Sequence, residues 1–442
     1  MRIDRTFGAA LAALGLLAAA PQAEAAAEIE RVVSPGGIEA WLVEESTIPM
    51  VAIEVSFGTG AALDPDGQEG AANFMMAMLE EGAGDHDAVD FAELTQLFGA
   101  RLRFDAGRDS VSVSARMLTE TREESVALLH MALTDPRFDA DALERVRGQI
   151  LSRIRSDEAD PRALASEAFF SQGFPDDPYG RPVDGAAESV SALTAADLEA
   201  ARDRVFNLET ARIGVVGDIS AEELGPLLDR LLGGLPRRDP VELPMTTFEK
   251  PGGVTVVDFP APQSTVMFGH EGPLRDDPDF IPLYVANYIL GGGGFSSRLT
   301  TEVREKRGLA YSTYSYLAPL DRAGIWMGGV GTANERVAES LSVIRDEWRR
   351  MAEEGVTEEE LRKAKQYLTG AYPLRFDSNA AIAGILVGLQ AAGLPIDYPE
   401  IRNGLVEAVT VEDIARVAEK WLKPDALAFV VVGQPEGLGA IQ

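Results

Sequence analysis

TAADLEAARDRVFNLETARIGVVGD, residues 194–218, returns as TVEDIARVAEKWLKPDALAFVVVGQ, residues 410–434, with Thr194 to Thr410 and Gly217 to Gly433 both offset by 216. In each copy a Thr followed three positions later by Asp is a reciprocal helix cap, in which side-chain oxygens satisfy amides that the first turn leaves free. The apolar, β-branched run that follows (IGVV, FVVV) reads as a buried strand. One capped helix before a strand is commonplace, but two with the same offset are not. A second pair supports the reading: FDADALERVRGQI (138–150) resembles VTEEELRKAKQYL (356–368), with Leu143 and Leu361 218 apart. The chain therefore reads as two related halves.

Between them, PRRDPVELP (236–244) and EKPGG (249–253) are rich in Pro, Gly and charge, the composition of an exposed connection. This places one domain at 28–236, a linker at 237–249 and a second domain at 250–442. In the first, IEAWLVEE, MVAIEVSFG and RDSVSVSARM read as strands and QEGAANFMMAMLEEG as a buried helix; in the second, GVTVVDF, STVMFGHE and RAGIWMGGVG are strands and PLYVANYILGGG a helix. Strands interleaved with helices, alternating on one face, predict an α+β fold of two homologous α/β-layer domains, each an antiparallel-rich sheet with helices on one side.

The 442 residues carry 40 Lys+Arg against 71 Asp+Glu, a net charge of −31. Nucleic-acid binding through a basic surface is excluded, because phosphate contacts need clustered Lys and Arg. The absence of Cys removes disulfides, thiolate metal sites and a thiol nucleophile. Arg2 and Arg5 precede an uncharged Ala/Leu run (Phe7–Ala20) and a small-residue cleavage signal around Ala23–Ala25, so residues 1–25 read as an export signal peptide and the expected location is the periplasm. No later stretch is long and uncharged enough to span a membrane, and none is expected once the signal is removed.

Only three His are present: His86 within DHD, His130 in the apolar LLHMAL run, and His270 near the end of a strand. No two have the one-turn spacing of a preformed metal site. His86 reads as a surface residue, His130 as a partly buried helix residue with a hydrogen-bonded ring, and His270 as a loop residue. The tetraglycine 291–294 follows a helix rather than a strand and lacks a following GK[ST], so it is no phosphate loop but a connection that lets backbone approach a peptide or partner. The acidic clusters Glu353-Glu354 and Glu358-Glu359-Glu360 read as solvated helix faces.

GGGGFSSRLTTEVREKRGLAYSTYSY (291–316), FPDDPYGRPVDG (174–185) and the VVGD of 215–218 resemble the M16 (insulinase/pitrilysin) metallopeptidase family, in its short-subunit M16B branch, over essentially the whole chain after the signal. The resemblance implies a mitochondrial-processing-peptidase-like (LuxS/MPP-like metallohydrolase) fold, half of a clamshell that closes on a peptide. Members bind zinc on an HxxEH helix, with a carboxylate from a later helix as third protein ligand. In the matching stretch, Gly70 to Gly82, Asn73 stands at the first His, Met76 at the base Glu and Ala77 at the second His, and Arg153 falls at the third ligand. The metal set is thus degenerate at every position, and no cofactor is expected in this chain.

In the same family the non-zinc half contributes an Arg and a Tyr seven apart, and Arg304 and Tyr311 keep that spacing. Ser296 or Ser297 caps a helix through Arg307, Gly308 ends it, and the chain enters the strand LAYSTYSY. A guanidinium and a phenol are donors suited to substrate carbonyls and to a tetrahedral oxyanion. An Arg at a helix end that complements the dipole, and a Tyr packed in a sheet, give the plain structural alternative. Arg298 and Arg307 read as structural. The resemblance implies a heterodimer in which an HxxEH-containing M16 subunit supplies zinc and this chain supplies Arg304 and Tyr311 to a peptide substrate. The alternatives are a structural or assembly subunit, and a peptide-binding module without chemistry.

Overall fold

The computed structural model describes residues 28–438, so the export signal read at 1–25 lies outside the described residues. The first half runs β1 (Glu30–Val33), β2 (Glu39–Glu44), β3 (Met50–Phe57), α1 (Ala71–Met78), a small ribbon of β4 (Gly82–Ala83) and β5 (His86–Asp87), and α2 (Ala88–Leu97). It continues β6 (Arg101–Ala106), β7 (Val111–Leu118), α3 (Arg122–Thr134), α4 (Ala140–Asp157), α5 (Pro161–Gly173), α6 (Ala187–Ala192), α7 (Ala195–Val205), β8 (Ala211–Gly217) and α8 (Ala221–Leu232). The second half runs β9 (Gly253–Asp258), β10 (Gln263–Glu271), α9 (Phe280–Asn287), β11 (Ala310–Pro319), β12 (Gly324–Ala333), α10 (Val337–Glu354), α11 (Glu358–Ala371), α12 (Asn379–Ala391), α13 (Tyr398–Ala408), α14 (Val411–Trp421) and β13 (Ala428–Gly433).

The strand orders are β1-β2-β8-β3-β7-β6 and β11-β12-β10-β13-β9. Read from opposite ends, with β1 set aside, they are the same sheet twice. In each, one parallel pair (β2 with β8, β9 with β13) joins an otherwise antiparallel set. The repeated sequence does the same work in both copies. Thr194 and Asp197, like Thr410 and Asp413, exchange reciprocal cap bonds at the starts of α7 and α14. Gly217 and Gly433 end the central strands with φ of +143° and +153°, where an added Cβ would lie 2.2 Å from Met50 O and 2.3 Å from Ser264 Oγ. A second pair sits under those helices. The buried Asp64 carboxylate takes Arg204 Nη2 at 2.8 Å, and Asp279 takes Lys420 Nζ and Arg416 Nη1, both at 2.6 Å. Burial pushes the Asp64 carboxyl up, whereas at Asp279 the hydrogen bonds from Lys420, Arg416 and Trp421 outweigh burial and hold it well below the carboxylate range.

The expected one-sided helical layer is incomplete as a description. One face of each sheet packs on its own half's helices. The other face is covered by a helix from the opposite half. α12 places Ala383, Leu386 and Leu389 against Trp41, Val43, Ala52 and Val216 of the first sheet, and Gln390 donates from Nε2 to Ile213 O at 2.9 Å. In return, α5 places Phe169 and Phe170 against Ile325, Met327, Ala428 and Val430 of the second sheet. The linker is mostly exposed, as its composition predicts, but Phe248 is buried against Phe169 and Phe174 and pins it in place. No described helix is long and apolar enough to cross a membrane.

Leu386 is fully buried on a sheet to which its own half contributes no strand. Leu386→Ala should lower stability by about 2–5 kcal/mol, the usual cost of such a truncation. Hydrogen exchange should show the loss in β2, β3 and β8 of the first half. Protection unchanged in those strands would mean that α12 does not hold the first sheet.

Candidate functional site

The stretch 288–311 departs most from the first half's pattern, since it replaces the α1–β6 connection with two π-helical turns. α9 widens into one over Tyr288–Gly292, and a second covers Thr300–Glu305; such turns are rare and cluster where a side chain must be re-aimed. The tetraglycine, whose first two residues close the first turn, is packed rather than free at its start: a Cβ on Gly291 would lie 2.3 Å from Ser315 Oγ of β11. Ser297 is the cap, accepting from Thr300 N–H at 3.3 Å. The helical run ends at Glu305, two residues earlier than the sequence suggests, because Gly308, in the left-handed region (φ +59°), donates back to Arg304 O at 2.9 Å and Leu309 N–H reaches Val303 O at 2.8 Å.

The strand that follows is an edge of its sheet, and it opens with a bulge: Ala310 pairs with Thr332 and Ser312 with Gly331, so Tyr311 is the extra residue. A bulge turns its side chain away from the ladder, and Tyr311 is 82% exposed. The Arg304 guanidinium lies 5.1 Å from the Tyr311 ring centre and 4.8 Å from that of Phe295, itself exposed. Two ring faces thus hold the cation in place. The structure brings Arg304 and Tyr311 together, as their spacing predicts, and adds Phe295, which sequence reading missed although an aromatic inside a Gly/Ser-rich turn is an anomaly. The neighbouring arginines are engaged elsewhere. Arg298 makes a two-pronged ion pair with Glu360 (2.7 and 2.9 Å) and also donates to Gly355 O, while Arg307 pairs with Glu302 at 2.6 Å. Among the described residues Arg304 has no carboxylate partner. Its donors remain available at an exposed sheet edge also lined by Tyr314 and Tyr316, whose rings stack 6.1 Å apart.

The positions corresponding to the family's metal set do not fit a cation. On α1, Asn73 replaces an imidazole with an amide whose buried Nδ2 has no hydrogen-bond partner; Met76 is buried in the core and Ala77 offers no ligand atom. On α4, Arg153 is half-exposed and paired with Asp184 at 2.9 Å. Of the two carboxylates that follow α1, Glu81 is held by Arg145 at 2.7 Å, and partial desolvation shifts the Glu80 pKa upward. Among the described residues no three His, Asp or Glu side chains converge on a point that could hold a metal.

Two family models match the chain: "Insulinase (Peptidase family M16)" over residues 41–187 and "Peptidase M16 inactive domain" over residues 192–368. A crystal structure described as a peptidase M16 inactive domain from Pseudomonas fluorescens is 30% identical, with a TM-score of 0.86 over 93% of this chain and 98% of that one. The non-peptidase homolog YmxG of Helicobacter pylori is 26% identical over 88% of this chain and 90% of its own. An uncharacterized zinc protease of Mycobacterium leprae is 29% identical over 91% of each.

The remaining motifs are structural. In 174–185, the Tyr179 hydroxyl donates to Asp109 and accepts from Arg322 N–H at 3.0 Å, while Arg322 pairs with Asp177, so this stretch ties the two halves together. His86 is partly exposed in the β4–β5 ribbon, and the His130 ring is hydrogen-bonded to Leu231 O at 2.9 Å, as its place in the helix predicts. His270 is no loop residue. It is fully enclosed within β10, with Nδ1 donating to Glu271 O (2.6 Å) and Nε2 accepting from Trp348 Nε1 (3.0 Å). That arrangement demands the neutral ring, and burial pushes its pKa from the usual 6.5 down to about 4. A depressed folded-state pKa means that the stabilisation is complete above the unfolded value and is lost as pH falls. Urea denaturation should therefore show stability declining from about pH 6.5 toward 4, with a shallower slope in His270→Gln. Equal slopes in the two proteins would show that His270 does not titrate as described.

Proposed function

The chain belongs to the M16 peptidase family, and on that premise we propose that it is the metal-free subunit of a two-chain periplasmic peptidase. An HxxEH-containing sister subunit would supply the zinc site, and with it an activated water. This chain supplies the opposing wall. The observation that carries the reading is the contrast between its two candidate positions: no metal-ligand position keeps a His or carboxylate, while among the described residues Arg304 has no carboxylate partner and is held against Tyr311 and Phe295 at a sheet edge.

In this arrangement a peptide lying along β11 meets the Arg304 guanidinium and the Tyr311 hydroxyl as hydrogen-bond donors. Both are placed for a carbonyl oxygen and for the negative charge that builds on it during attack. The rings fix the guanidinium beforehand, so little ordering is left for the moment of reaction. Such donors matter most when water is excluded, which the closure of two subunits on the peptide would provide.

Purified alone, the chain should hold no stoichiometric zinc by elemental analysis and should cleave no peptide. Mixed with the HxxEH partner, it should support hydrolysis, and Arg304→Ala should lower kcat/KM by about 10²–10³, the usual cost of removing an oxyanion donor, with assembly by gel filtration unchanged. Tyr311→Phe should act in the same direction. EDTA-sensitive cleavage by the single chain would sink the proposal, and full activity in both variants would overturn the site.

A second reading, a peptide-binding or assembly subunit without chemistry, draws on the name of the Helicobacter pylori relative, a non-peptidase homolog, and on the free edge of β11, to which an extended segment can add. Peptide binding by the chain with no hydrolysis on adding the HxxEH partner would select it.

A further inference from the structure

A cavity of about 710 Å³ opens between α9, β11 and the crossing helix α12, away from the Arg304 side chain. In a protein of net charge −31, its lining holds three arginines, Arg275, Arg375 and Arg402, and no carboxylate. No carboxylate oxygen among the described residues lies within 4 Å of any of the three guanidinium groups, in contrast to Arg298, Arg307 and Arg322. They are held instead by neutral partners. Arg402, 6% exposed, donates to Leu368 O (2.7 Å) and toward the Tyr284 hydroxyl (3.3 Å) and lies 4.5 Å from the Tyr372 ring centre. Arg275 donates to the Tyr398 hydroxyl at 2.8 Å and covers Phe280 at 4.4 Å. Arg375 is exposed at the mouth.

Ring faces and neutral oxygens orient these cations but cancel no charge. Cations gathered around one cavity without counter-charge favour an anion there, and guanidinium groups suit a planar, two-oxygen head. Apart from Asn287 and the tyrosine hydroxyls the rest of the lining is apolar, from Ile281 and Leu317 to Leu389, which suits an anion carried on an apolar body. We propose that this cavity binds a carboxylate carried on an apolar group. Its two sources are the C-terminal end of a peptide and a free small organic acid. Tyr316 in the lining lies five residues along β11 from Tyr311, about 17 Å at strand spacing, so an extended peptide along this edge could place its terminus here.

The test needs neither partner nor hydrolysis, so its outcome is separable from that of the proposed peptidase role. Titrated by calorimetry into the full chain, N-acetyl-phenylalanine should bind at least tenfold more tightly than its C-terminal amide and than inorganic phosphate. Arg375→Gln, an exposed change that leaves the core intact, and Arg275→Gln should each weaken the acid by about tenfold, and Arg304→Ala should leave it unchanged. A pentapeptide ending in Phe that binds tenfold tighter than the single residue identifies the peptide terminus as the source; equal affinity identifies the small acid. Acid and amide binding alike, phosphate binding as tightly as the acid, or affinity retained in the Arg275→Gln/Arg375→Gln double variant would overturn the proposal.

Discussion

The exchange of α5 and α12 is the constraint on which the rest of the structure depends. A sheet with one face on its own helices still exposes the other, and here the exposed faces carry Trp41, Val43, Ala52 and Val216 on one sheet and Ile325, Met327 and Val430 on the other. Each is covered chiefly by a helix reaching over from the opposite half. Burying a large apolar side chain is worth about 1.5–3 kcal/mol, so these two interfaces hold a large part of a typical net stability of about 5–15 kcal/mol. The halves are therefore two copies of one pattern but not two independent units. The Tyr179–Asp109–Arg322–Asp177 network adds directional bonds at the same junction.

Once both halves are fixed by exchange, their divergence can be compared position by position. Asp64 with Arg204 and Asp279 with Lys420 show one solution kept twice, a buried carboxylate under the last helix before the central strand. The connection from the first core helix to the edge strand shows the opposite. In the first half it is a short ribbon and α2; in the second it is two π-helical turns, a glycine run and a bulge. The second half thus spends backbone irregularity where the first has regular structure, and it does so at the residues that present Arg304, Phe295 and Tyr311. Irregular backbone at one edge of an otherwise duplicated framework re-aims the side chains it carries, and this is the edge on which the proposed role rests.

The duplication, the α+β class and the antiparallel-rich sheets were legible because they rest on local signals: capped helices, β-branched runs and a glycine at the end of each central strand. The juxtaposition of Arg304 and Tyr311 was legible only through the family's spacing; the reason it forms, a left-handed Gly308 followed by a bulge, is a matter of register that no periodicity reveals. The helix exchange was missed, although NAAIAGILVGLQA (379–391) is apolar on all sides, which marks a helix buried between two layers. His270 was misplaced because the strand's alternation weakens near its end, and only the Trp348 indole, 78 residues away, makes burial of the ring acceptable.

The degenerate metal positions show how completely one set of interactions can replace another without disturbing the fold. Met76 sits in the first core as an ordinary apolar residue, and Arg153 has found a carboxylate in Asp184. A lone Arg facing two His would have been an unpaired cation beside a cation site. With no His present, the same Arg becomes part of a half-exposed ion pair of small energetic consequence. The orphaned Nδ2 of Asn73 is the one buried polar atom in this set left without a partner. The substitutions therefore form a consistent set, each compatible with the others and incompatible with a metal, whereas the arginines of the second half are divided between those bound in ion pairs and those held open by aromatic rings. That division, rather than the number of charges, separates the arginines that hold the fold from those whose donors remain open.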